Sequence, residues 1–141
     1  MPEESDGLPE PHAPETAPGG YRFFRRDEFE FTPPSGGDPG RGVMRLSDAL
    51  ESTRANIWLM PAGSRGRRHR ELVQEELFVV LEGTATLLLG EPGELIDLPS
   101  GSVAVVAPHT PLQLLNDRAE GTVVLIVGAP PVMGQAEYLP S

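Results

Sequence analysis

The chain has 141 residues, a net charge of -10 and no cysteine, which excludes disulfides, thiolate nucleophiles and thiolate metal sites and argues against nucleic-acid binding. Glycine and proline fill 32 positions while aromatics make up only 6 %; ordinary usage of the pair is roughly 12 %, so the excess points to short strands and many turns rather than a helical bundle. No run approaches the roughly 18 apolar residues of a membrane span, and no basic-then-apolar start resembles a signal peptide, so the expected setting is cytoplasmic, with no membrane partner.

Residues 1–20 carry Glu3, Glu4, Asp6, Glu10 and Glu15 with five prolines and no arginine. They read as a disordered acidic tail, His12 included, ahead of a single domain over 21–141. Every basic residue is arginine, which removes Schiff-base and lysine general-base chemistry. Tyr21–Phe31 alternates aromatic and charged residues, as an edge strand does. A loop over 33–42 follows, and Leu46–Leu50 fits one helical turn capped by Ser47, or a packed loop.

Ile57–Met60 is a short apolar strand ended by Pro61-Ala-Gly63, and Trp58 and Met60 alternate toward one of its faces. Four arginines (Arg65, Arg67, Arg68 and Arg70) crowd the next loop. Strands are then predicted at 76–81, 84–89, 95–98, 103–107, 112–115 and 122–127. The turns between them recur about every 8 to 12 residues, the spacing of an all-β barrel or sandwich. Tyr21–Phe31 and Ile57–Met60 look like apolar edges, which predicts a homodimer.

Two segments carry a resemblance. Gly63, His69-Arg-Glu71 and Glu76-Leu-Phe-Val-Val-Leu-Glu-Gly83 resemble the first motif of the cupin superfamily, with Glu71 where a second histidine would stand. Gly101 through Ala107-Pro-His109 to Leu112 and Asn116 resembles the second motif, with Ala107 at its turn proline, His109 at its turn glycine and Leu112 at its histidine. The resemblance spans residues 43–129. It implies an all-β, double-stranded β-helix, the jelly-roll cupin barrel, with a pocket in its mouth.

It also implies a metal site at His69, Glu71 and Glu76, for which a divalent ion such as Mn, Fe, Ni or Zn is the candidate cofactor. Leu112 cannot act as a fourth ligand. One imidazole and two carboxylates make a hard set, closer to Mn²⁺ or Mg²⁺ than to Zn²⁺. Without a cation the two carboxylates would repel, raising one pKa or recruiting an arginine, and Arg67, Arg68 or Arg70 could supply that charge.

His69 and Glu71, two apart on a strand, can face inward together, while Glu76 needs a turn around 72–75 to join them. Arg68, Arg70, Trp58, Met60 and Leu112 are the candidate ligand-binding residues, and His109 is the candidate acid or base. Serine–histidine constellations, phosphate loops and dinucleotide fingerprints are all missing.

Three functions stay open: a pocket for a small organic or anionic ligand with a degenerate metal site, a metal-dependent oxygenase or isomerase, and a dimeric assembly or regulatory module. Whether the chain is an enzyme is undecided at this level, because the fold hosts many chemistries.

Overall fold

The structure is a computed structural model that describes residues 19–132 and 135–140. The expected acidic tail therefore lies, but for Gly19 and Gly20, outside the described residues, as does His12. Ten strands form: β1 (Gly42–Arg45), β2 (Arg54–Met60), β3 (His69–Glu71), β4 (Glu75–Glu82), β5 (Thr84–Leu89), β6 (Glu94–Pro99), β7 (Val103–Val106), β8 (Leu112–Leu115), β9 (Thr122–Ala129) and β10 (Ala136–Tyr138). They build two five-stranded antiparallel sheets, in the orders β1-β2-β9-β4-β7 and β10-β3-β8-β5-β6. Among the described residues no helix is long and apolar enough to cross a membrane.

Strand alternation sets the interior. On β2 residues 54, 56, 58 and 60 share a face, and on β4 residues 76, 78 and 80 do. Met60, Phe78, Val80, Leu87 and Val124 meet between the sheets as the closed end of the core, each 2 % exposed or less. The other end of the same space is lined by polar side chains.

Turns hold the strands at these registers. Gly83 has φ +76°, and a Cβ there would lie 2.5 Å from the Gly121 carbonyl oxygen, so only glycine fits between β4 and β5. His109, at the position of the motif's turn glycine, has φ 72° and is the sole non-glycine described residue with positive φ. Asn116 is fully buried. Its side-chain amide donates to the carbonyls of Met60 (2.9 Å) and Glu120 (2.7 Å), and its Oδ1 accepts from the Arg118 amide (2.9 Å).

Three local expectations change. Tyr21–Phe31 forms no strand; it holds a 3-10 turn at Arg26–Glu28, and its alternation is met locally, with Arg22 over Phe24, Arg25 over Phe23 and Arg26 over Phe29. Leu46–Ala49 is a 3-10 turn whose N-cap is Arg45, not Ser47; the buried Ser47 hydroxyl instead accepts from the Ala55 amide at 2.9 Å. Ile57–Met60 is not an edge, because β2 pairs with β1 on one side and β9 on the other. The exposed edge of that sheet is β7, with Val103 and Val105 turned outward.

Removing the Asn116 side chain leaves the buried Met60 carbonyl, the Glu120 carbonyl and the Arg118 amide without this partner. Asn116→Ala is expected to lose at least about 2 kcal/mol of stability in denaturant unfolding; a loss below about 0.5 kcal/mol would show that the turn is held by other contacts.

Candidate functional site

The polar end of the barrel opens into a cavity of about 90 Å³. Strand parity decides which side chains reach it. From β3 come His69 and Glu71, and from β4 Glu76 and Phe78, the break over residues 72–74 bringing Glu76 round to the same space. Their ligand atoms lie within 4.8 Å of one another. Leu112, 2 % exposed, sits directly across from His69 in the β3–β8 pairing and puts hydrocarbon beside the cluster.

The His69 ring is held at both nitrogens. Nδ1 lies 3.0 Å from the Arg67 carbonyl oxygen, to which it can only donate, so Nε2 is the atom that faces Glu71 Oε2, 3.3 Å away. Burial pushes the imidazolium pKa down. The hydrogen bond to Glu71, the negative charge of Glu76 and the Arg67 carbonyl outweigh it, and the net shift is upward. Glu71 itself is 4 % exposed, and its Oε1 is buried with no hydrogen-bond partner.

These carboxylates share the cavity with Arg67, one of the three arginines the sequence offered as their partner, and with Arg41 and Arg54, which sequence reasoning passed over. Arg54 and Asn56 project from the same face of β2 as Trp58 and line the cavity with it. Arg41, 8 % exposed, lies with its guanidinium carbon 5.0 Å from the Trp58 ring centroid and donates to the Gly36 carbonyl. Arg67 lines the cavity too, stacked 3.4 Å from the centre of the Tyr138 ring. Continuing the alternation of Trp58 and Met60 backwards along β2 is the signal that finds Asn56 and Arg54.

The remaining sequence candidates are placed elsewhere. Arg68 and Arg70 alternate with Arg67, His69 and Glu71, and so face away from the cavity. Arg68 pairs with Glu91 (2.8 Å) and Arg70 with Glu137 (2.6 Å), as Arg65 does with Asp38 (3.9 Å). Met60 is fully buried in the core and does not line the cavity. His109 does not line it either; its backbone N–H donates to the Glu71 carbonyl oxygen at 2.7 Å, so it acts on the site by pinning the end of β3. Trp58 and Leu112 do line it.

His69, Glu71 and Glu76 form a set that could hold a metal ion. A hard divalent cation fits the donor chemistry, and the unpartnered Glu71 Oε1 fits it as well. The arginines in the same cavity supply positive charge in another way.

The sequence matches no family model and no curated protein. Solved structures do match in fold. A sugar phosphate isomerase of the cupin superfamily from Silicibacter pomeroyi is similar at TM-score 0.67 and 22 % identity, over 85 % of this chain and 83 % of that one. The polyketide cyclase RemF from Streptomyces resistomycificus is similar at TM-score 0.71 and 15 % identity, over 86 % and 87 %. KdgF from Halomonas sp. is similar at TM-score 0.64 and 20 % identity, over 79 % and 96 %. The chain therefore has the cupin fold, a double-stranded β-helix.

His69 is expected to titrate above the ordinary histidine value of about 6.5 in an NMR pH series, and Glu71→Gln to bring it down. Because the folded pKa is the higher one, the stabilisation from His69 is complete below about pH 6.5 and fades as pH rises through the folded pKa. The stability difference between the wild type and His69→Gln should shrink over that interval. Titration of His69 below about 6 would contradict this arrangement.

Proposed function

We propose that the barrel binds a small organic anion in this cavity, and that the binding needs no metal. The observation that carries the reading is charge: Arg41, Arg54 and Arg67 line the same small space as Glu71 and Glu76. Three guanidinium groups against two carboxylates leave a positive excess, which His69 enlarges when protonated. A carboxylate or phosphate is the group that guanidinium donors recognise best. Trp58, Phe78 and Leu114 supply an apolar wall for the rest of the ligand. His69, Glu71 and Glu76 are the acid–base groups that would face the bound molecule, so any reaction on it, such as an isomerisation or cyclisation of the kind named for two of the similar structures, would fall to them.

A second reading places a divalent cation at His69, Glu71 and Glu76. It is favoured by the 4.8 Å limit on their separations and by the unpartnered Glu71 Oε1. The ion would supply Lewis-acid polarisation of a bound oxygen, with Leu112 leaving the site one protein ligand short.

The two separate in calorimetry and thermal unfolding of the full chain in chelator. Small carboxylates or phosphate are expected to bind and raise the melting temperature, and Arg54→Ala to weaken that binding by about tenfold or more, the loss of a charge-assisted hydrogen bond. No binding in chelator, with a melting rise on adding Mn²⁺ that His69→Ala abolishes, would overturn the anion reading in favour of the second.

A further inference from the structure

Two residues that line the cavity each hold a buried acceptor with nothing donating to it. Glu71 Oε1 is one, on β3; the other is Asn56 Oδ1, on β2 in the opposite sheet, from a residue 5 % exposed. A buried acceptor without a donor is costly, and native structures rarely leave one unsatisfied unless something outside the chain completes it. Two of them, one on each wall of the same cavity, specify hydrogen-bond donors on the occupant. A carboxylate carries none at neutral pH, so for a carboxylic acid the guanidinium groups and these acceptors must be answered by different parts of one molecule. The wall between them is apolar, formed by Phe78 and Leu112, and suits a short carbon frame.

We propose that the ligand is a small hydroxylated organic acid: its anionic group faces the guanidinium side, and its hydroxyl groups donate to Glu71 Oε1 and Asn56 Oδ1. The inference rests on the anion reading and sharpens it, making Asn56 and Glu71 the residues that select hydroxylated acids over their deoxy counterparts. Asn56 in this role reads the ligand directly. Replacing it with leucine, similar in shape and without polar atoms, removes an acceptor and adds none that must be satisfied.

The test compares glycerate with propionate, two three-carbon acids that differ in their hydroxyl groups, by calorimetry on the full chain in chelator. Glycerate is expected to bind at least about tenfold more tightly. Asn56→Leu should cut that preference to within about threefold while leaving propionate affinity unchanged, and Glu71→Met, which removes the carboxylate oxygens and keeps a side chain of similar length, should reduce it as well. Asn56→Leu is also expected to melt at or above the wild-type temperature, which a merely structural asparagine would not allow. If both acids bind equally, the hydroxyl assignment is overturned and the anion reading stands. A glycerate preference that survives both substitutions overturns the assignment to these residues. If neither acid binds, the anion reading fails and this inference with it.

Discussion

A carboxylate cannot be taken out of water alone, and Glu71 is buried inside the barrel. Its burial is the constraint around which the polar end of the molecule is organised. Left uncompensated, it would be protonated or would unfold the site. One oxygen is met by His69 Nε2, and that atom is available only because the Arg67 carbonyl holds Nδ1. The backbone of β3 is tied at its end by the His109 amide and along its length by β8 and β10. The second oxygen is buried with no hydrogen-bond partner.

The same alternation that buries Glu71 delivers the balancing charge. Arg67, His69 and Glu71 fall on one face of a nearly continuous extended stretch, and Arg54, Asn56 and Trp58 on the facing side of β2. Charged and polar side chains thus converge from both sheets onto one small volume, while beyond it the space between the sheets is filled by Met60, Val80 and Leu87. Leu112 divides the two environments: where a further imidazole would complete a metal shell, it extends the apolar wall. The result suits an occupant with an anionic end, donors and a short hydrocarbon edge better than it suits a bare ion.

Much of the barrel was legible because turns are written in residue types with a steric reason. Glu76 to Gly83 carries a strand and the one residue that fits against the Gly121 carbonyl, and the later strands fall between similar punctuation. The cluster His69, Glu71 and Glu76 followed from resemblance together with period two. The same rule chooses among the arginines offered beside that cluster: with His69 and Glu71 inward, Arg67 faces inward and Arg68 and Arg70 outward. Carried along β2 it also finds the partners that were missed, because with Trp58 inward Asn56 and Arg54 face inward too. What no local rule contained was Tyr21–Phe31, whose alternation is satisfied by arginine–aromatic pairs within the segment. Nor did any contain β10, three residues long, which exists because the edge of β3 needs a partner.

The central claim is that guanidinium groups, rather than a metal ion, balance the buried carboxylates and recruit the ligand. Its most direct test is the metal content of freshly purified protein, measured on the same sample whose organic-acid stoichiometry is determined by calorimetry. The account predicts about one equivalent of bound acid at less than about 0.1 equivalent of divalent metal. Acid binding that rises and falls in proportion to the metal content would contradict it.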